Sequence, residues 1–122
     1  MSEKPLLLRL QLKAGRRLAV LYAPADRQAL FASAEPAAIE DAEVALAFAG
    51  TREEMAARLA ALKDRTRADA ILWLGYAKKT SPRAGEIHRD LIHDFARGHG
   101  LDAVAQIALD TDYSALRFKR LP

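Results

Sequence analysis

The sequence predicts one α/β domain with a mostly parallel sheet of about five strands ending in an antiparallel hairpin. Short apolar runs alternate with segments of helical periodicity, the pattern of strands packed against helices. Successive runs are separated by helix-length crossovers, which parallel neighbours require. The last two runs are separated only by Asp110-Thr-Asp112, a hairpin connection. The chain has 122 residues, 51% hydrophobic and 29% charged, enough for one domain with its own core. No repeat, low-complexity segment or linker divides it. Residues 1–122 therefore read as one unit, with a covering segment over 1–13 and the sheet and helices over 14–122.

Each element has its own local reason. In the opening segment, Leu8, Leu10 and Leu12 alternate with Arg9, Gln11 and Lys13 as in a strand, yet the same residues after Pro5 also fit a short helix. Leu18-Ala-Val-Leu-Tyr22 is the first clear strand, stopped at Pro24, and a short helix around 26–32 follows with Asp26 as its cap. An acidic, alanine-rich connection leads to the strand Val44-Ala-Leu-Ala-Phe48, ended by Gly50. Thr51-Arg-Glu-Glu54 is a capping box, and Met55, Leu59 and Leu62 give the ensuing helix a buried stripe. The strand Ala70-Ile-Leu-Trp-Leu74 continues through Tyr76 into the polar stretch Lys78-Lys-Thr-Ser81. Ser81 and Pro82 then read as the N-cap and first position of a third helix, carrying Ile87, Leu91 and Phe95 on one side and stopping at Gly98 or Gly100. Ala103–Leu109 and Tyr113–Arg120 form the closing hairpin.

Several function classes are excluded or disfavoured by composition. Cysteine is absent, which removes disulfides, thiolate nucleophiles and Cys-ligated metals together. No apolar run is long enough to span a membrane, and Arg9 interrupts the leucines too early for a secretory signal, so a cytoplasmic protein is expected. The net charge of +3 comes from interleaved bases and acids rather than a basic face, which argues against nucleic-acid binding. His88 and His93 are five residues apart and diverge on a helix, so no metal site is expected. No Gly-x-Ser-x-Gly elbow and no P-loop spacing is present.

Several of these segments resemble one small bacterial family known as a domain of unknown function. The carriers are Leu12-Lys-Ala-Gly-Arg-Arg-Leu-Ala-Val-Leu-Tyr-Ala-Pro24, Trp73-Leu-Gly-Tyr-Ala-Lys-Lys-Thr-Ser81, Gly100-Leu-Asp and Asp112-Tyr-Ser-Ala-Leu-Arg-Phe118. The resemblance implies a shortened class I methyltransferase fold, Rossmann-like, in two or three layers, with one flank of the full sheet missing. It brings no activity and no cofactor with it, because a fold alone does not supply a function. The chain also departs from the methyltransferase pattern. The turn after the first strand, Tyr22-Ala-Pro-Ala-Asp26, has no glycine, and Pro24 removes an amide donor. Nor does an acid follow the second strand, which ends Phe48-Ala-Gly50.

Ligands of open α/β sheets bind at the carboxyl ends of the strands. If the first four strands lie side by side and run the same way, that rim carries Tyr22, Pro24, Asp26, Gly50, Thr51, Tyr76, Asp110, Thr111 and Asp112. Its strongest candidate is Lys78, Lys79, Thr80 and Ser81 with Arg83: cations and hydroxyls before a helix start, suited to a phosphate or carboxylate. Two functions are weighed. One is a non-catalytic module binding a small anionic ligand or a protein partner. The other is a small nucleotide- or S-adenosylmethionine-dependent transferase. Crossovers of one hand place the helices on one face of the sheet, so the other face needs a cover. Leu6–Leu12 is expected to supply it, with a homodimer as the other solution.

Overall fold

The computed structural model describes residues 5–122; the first four residues of the expected covering segment lie outside them. In chain order the elements are α1 (Leu6–Arg9), β1 (Leu18–Leu21), a 3-10 helix (Ala25–Phe31), β2 (Val44–Phe48), α2 (Arg52–Asp64), β3 (Ile71–Ala77), α3 (Arg89–Gly98), β4 (Leu101–Ala108) and β5 (Tyr113–Arg120). The five strands form one sheet in the order β1-β2-β3-β5-β4. The sheet is mixed rather than mostly parallel. β1, β2 and β3 pair in parallel, whereas β5 is antiparallel to both β3 and β4. β4 consequently points the same way as β1–β3, but it is not side by side with them, because β5 occupies the place between. Four carboxyl ends still share one rim, with the start of β5 among them.

Alternation along β2 explains how both faces are filled. Ala45 and Ala47 turn toward α2 and α3, and their small side chains let Met55, Leu59, Leu62, Ile92 and Ala96 pack closely with Leu72, Leu74, Leu116 and Phe118. Val44, Leu46 and Phe48 turn the other way and meet Leu18, Trp73, Ala115 and Phe31. Each fully buried leucine here contributes about 2 kcal/mol from leaving water.

On this second face the cover is the short helix α1 with the turn after it, joined by the 3-10 helix, so the opening segment is helical rather than a strand. Leu10 is fully buried, with Leu6, Leu7 and Leu12 packed around it. The Trp73 indole N–H donates to the Leu10 carbonyl at 3.0 Å, so the one buried indole donor is satisfied by the segment that covers it. Gln11 adopts φ 72°, reversing the chain directly after Leu10. At the amino ends of β1 and β2, Glu43 accepts from the Arg17 amide at 2.7 Å and from Arg67 at 2.7 Å. Hydrogen bonds from Arg17 hold the Glu43 carboxyl down at about 2.

Three local expectations fare differently. The capping box is present: the Glu54 amide donates to Thr51 Oγ1 at 3.0 Å and the Glu54 carboxylate reaches back to the Thr51 amide. Asp26 does not cap a helix. Pro24 sits at that position, and Asp26 lies inside the 3-10 turn, where arginines take its carboxylate. The third helix starts at Arg89, with His88 in the N-cap position but making no side-chain capping bond, not at Ser81. The residues between are committed elsewhere: Glu86 accepts from the Arg52 amide at 2.9 Å and donates its own amide to the Gly50 carbonyl at 2.9 Å. Gly85 makes that approach, since a Cβ there would lie 2.3 Å from the Gly50 oxygen.

Candidate functional site

The segment Lys78–Arg83 leaves β3 at the middle of the carboxyl rim, and the rim divides there into two unlike halves. On the side of the 3-10 helix, oppositely charged groups are matched. Arg27 donates to Asp110 at 2.5 Å and to Asp112 at 2.7 Å, and lies 3.0 Å from Asp26. Arg83 forks onto both Asp26 oxygens and donates to the Tyr113 hydroxyl at 2.9 Å. Ser81 donates to Asp112 at 2.8 Å and accepts from the Arg83 amide. Asp110 turns its second oxygen back on the hairpin, taking the Asp112 and Tyr113 amides at 2.8 Å each. The result is a clamp joining the 3-10 helix, the β3–α3 loop and the β4–β5 tip.

Titration follows from these contacts. The Arg83 hydrogen bonds hold the Asp26 carboxyl below its usual range. Burial works against ionisation of Asp110, but the two hairpin amides and Arg27 outweigh it and lower its pKa as well.

Between β1 and β2 the rim opens into a recess of about 360 Å³ walled by Tyr22, Phe48, Gly50, Arg58, Arg83 and Tyr113. Tyr22 is two-thirds exposed, and its φ of 62° is a left-handed conformation that costs a non-glycine residue energy. The Arg58 guanidinium stacks on its ring at 3.5 Å while donating to the Phe48 carbonyl. The glycine-free turn therefore holds a pinned aromatic side chain where a phosphate-binding loop would present bare backbone.

The other half of the rim lies toward α3. A recess of about 540 Å³ is lined by Tyr76, Lys78, Lys79, His88, Arg89, Asp90, Gln106, Ile107, Ala108 and Ser114. Neither lysine is paired with a carboxylate among the described residues, and the Arg89–Asp90 contact is loose at 3.6 Å. The start of α3 opens here without a side-chain cap, leaving its first-turn N–H groups for another acceptor. Tyr76 is buried at the floor. Desolvation pushes its hydroxyl pKa up, although Arg89 and the Ser114 hydroxyl pull the other way, so it is an O–H donor rather than a base.

The structure thus splits the five-residue anion cluster. Lys78 and Lys79 line the α3-side recess, Thr80 is exposed in the turn, and Ser81 and Arg83 belong to the clamp. Asp26, Asp110 and Asp112 are clamp members as well. Tyr22 walls the smaller recess, Tyr76 floors the larger, and the Thr51 hydroxyl is spent on the α2 cap. Sequence reasoning missed Arg27, Arg58, His88, Arg89 and Ser114. Ser114 left no local signal, because it stands opposite Tyr76 only once β3 and β5 are paired. No group of three potential metal ligands occurs among the described residues, and no helix is long and apolar enough to cross a membrane.

No family model matches the chain, and no curated protein matches it. Solved structures do. A TehB-like SAM-dependent methyltransferase from Corynebacterium glutamicum aligns with 93% of this chain and 85% of its own, at TM-score 0.59 and 12% identity. The CcbJ methyltransferase from Streptomyces caelestis aligns over 95% and 93%, at TM-score 0.60 and 7% identity. Magnesium protoporphyrin IX methyltransferase from Synechocystis, with bound SAH, aligns over 93% and 78%, at TM-score 0.61 and 12% identity. The fold is methyltransferase-like. At such identities the likeness extends to the fold alone.

Proposed function

We propose that this protein is a non-catalytic Rossmann-like module that binds a small anionic ligand in the recess between the end of β3 and the start of α3. One observation carries the reading: two unpaired lysines, Arg89 and the uncapped first turn of α3 converge on a single cavity. Cations beside free helix amides attract an anion and donate hydrogen bonds to it. The rest of the rim supports a binding role over a catalytic one, since its carboxylates and arginines neutralise one another.

Thermal-shift and calorimetric titration with inorganic phosphate and citrate test this reading. The expected result is saturable stabilisation that falls at least tenfold in affinity in the double variant Lys78→Ala/Lys79→Ala. No stabilisation by either anion would remove the reading. The second reading, an S-adenosylmethionine-dependent transferase, is favoured by the fold likeness. Against it stand the Tyr22-Ala-Pro24 turn and the Tyr22–Arg58 stack, which occupy the loop after β1. Titration with S-adenosylmethionine separates the two, with no binding expected.

A further inference from the structure

Two buried hydroxyls refine the ligand class of this recess, an inference that rests on the anion-binding reading above. Tyr76 and Ser114 are register partners on the antiparallel strands β3 and β5, and both line the recess. Each residue is only 3% exposed. The Ser114 hydroxyl stands beside that of Tyr76, and neither side chain bonds any other described residue. No polar side-chain atom is sealed in without a partner among the described residues, so a hydroxyl left over from that contact opens on the cavity that both residues line. Two hydroxyls carry two O–H donors, and a contact between them engages one at most, which leaves one O–H at the floor of a cationic cavity for an acceptor from outside.

Donors therefore reach the cavity from three directions. The spare hydroxyl is at the floor, the Lys78 and Lys79 ammonium groups come from the β3 end, and the first-turn amides come from α3. A carboxylate offers two oxygens in one plane. A phosphate monoester offers three terminal oxygens pointing apart, which suits three separate donor sets. The cavity also shares Arg89, Asp90 and Gln106 with a second recess along α3 and β4, where His93 and Asp94 add further hydrogen-bonding groups. That extension fits the hydroxyls of a polyol better than an aromatic ring.

We infer that the recess binds a small phosphorylated sugar or polyol, its phosphate received by Lys78, Lys79, the α3 amides and the Tyr76–Ser114 hydroxyl pair.

Calorimetry with ribose 5-phosphate, citrate and AMP tests the inference on the full chain. Ribose 5-phosphate is expected to bind at least tenfold more tightly than citrate, and more tightly than AMP. Because either hydroxyl can replace the other as donor, the informative variant is Tyr76→Phe/Ser114→Ala. It is expected to lose roughly tenfold or more in ribose 5-phosphate affinity while citrate binding stays within about twofold. Citrate equal to ribose 5-phosphate, or a double variant with undiminished affinity, would overturn the phosphate assignment while leaving an anion site. Tighter binding of AMP would overturn the polyol assignment. Absence of binding by every anion would sink the broader reading too. Should the double variant fail to fold, NMR of ring-labelled tyrosine in the unaltered protein decides: ribose 5-phosphate should move the Tyr76 resonance, and an unmoved resonance refutes the contact.

Discussion

The two halves of the carboxyl rim use similar side chains for opposite ends. On one half Arg27 and Arg83 face Asp26, Asp110 and Asp112, and the charges close on themselves. On the other, Lys78, Lys79 and Arg89 surround a cavity with only Asp90 among them. Matched charges hold loops together, whereas unmatched ones wait for something to arrive. The difference teaches that a rim of this fold need not be wholly a binding edge. Here one half is closed by its own ion pairs, while the other keeps its lysines without carboxylate partners among the described residues.

The largest effect expected from attacking that contrast is on the clamp. Asp110→Ala strands two hairpin amides and frees Arg27, so it should cost about 3 kcal/mol in urea denaturation. Ligand affinity in the lysine recess should change far less. Next comes Gly85→Ala, which drives a methyl against the Gly50 carbonyl rather than a yielding side chain. About 2 kcal/mol should be lost, with the β3–α3 loop loosened and amide exchange faster through Ser81 and Arg83.

Acid should act on the same half. Folded-state pKa values of Asp26 and Asp110 lie below their ordinary values, so their contribution is present above the usual carboxylate range and disappears as pH falls through the folded values. Glu43 at the opposite end follows the same sign, its contribution waning between pH 4.5 and about 2. Thermal melts across pH 6 to 2 should therefore show progressive destabilisation. The smallest effect belongs to Lys78→Ala and Lys79→Ala, each expected to leave stability within about 0.5 kcal/mol. A larger loss would show that the recess, too, is structural.

Legibility in the sequence tracked the range of the interaction. The Thr51–Glu54 capping box and the Asp110 turn could be read because donor and acceptor lie within three residues. The sheet was legible as elements, but not the insertion of β5 between β3 and β4, since hydrophobic period fixes faces and not neighbours. Lys78–Arg83 looked like one cluster because its members are adjacent. It divides because Asp112 and Asp26 draw Ser81 and Arg83 away, and those partners stand 31 and 57 residues off. Arg27 drew no notice for the same reason, its carboxylates lying 83 and 85 residues downstream. A distant charge partner leaves no local trace.

The place of β5 also governs how this molecule is made. Its residues are synthesised after those of β4, yet they sit inside the sheet, and β4 touches no other strand. While the ribosome is still translating, β1, β2 and β3 can assemble with α2, but β4 can rest only on α3 and has no strand to pair with until Tyr113–Arg120 has emerged. At ordinary translation speeds that gap lasts on the order of a second. During it the nascent chain carries an unfinished edge along β3, so any chaperone that shepherds this protein should bind before the final strand slots in.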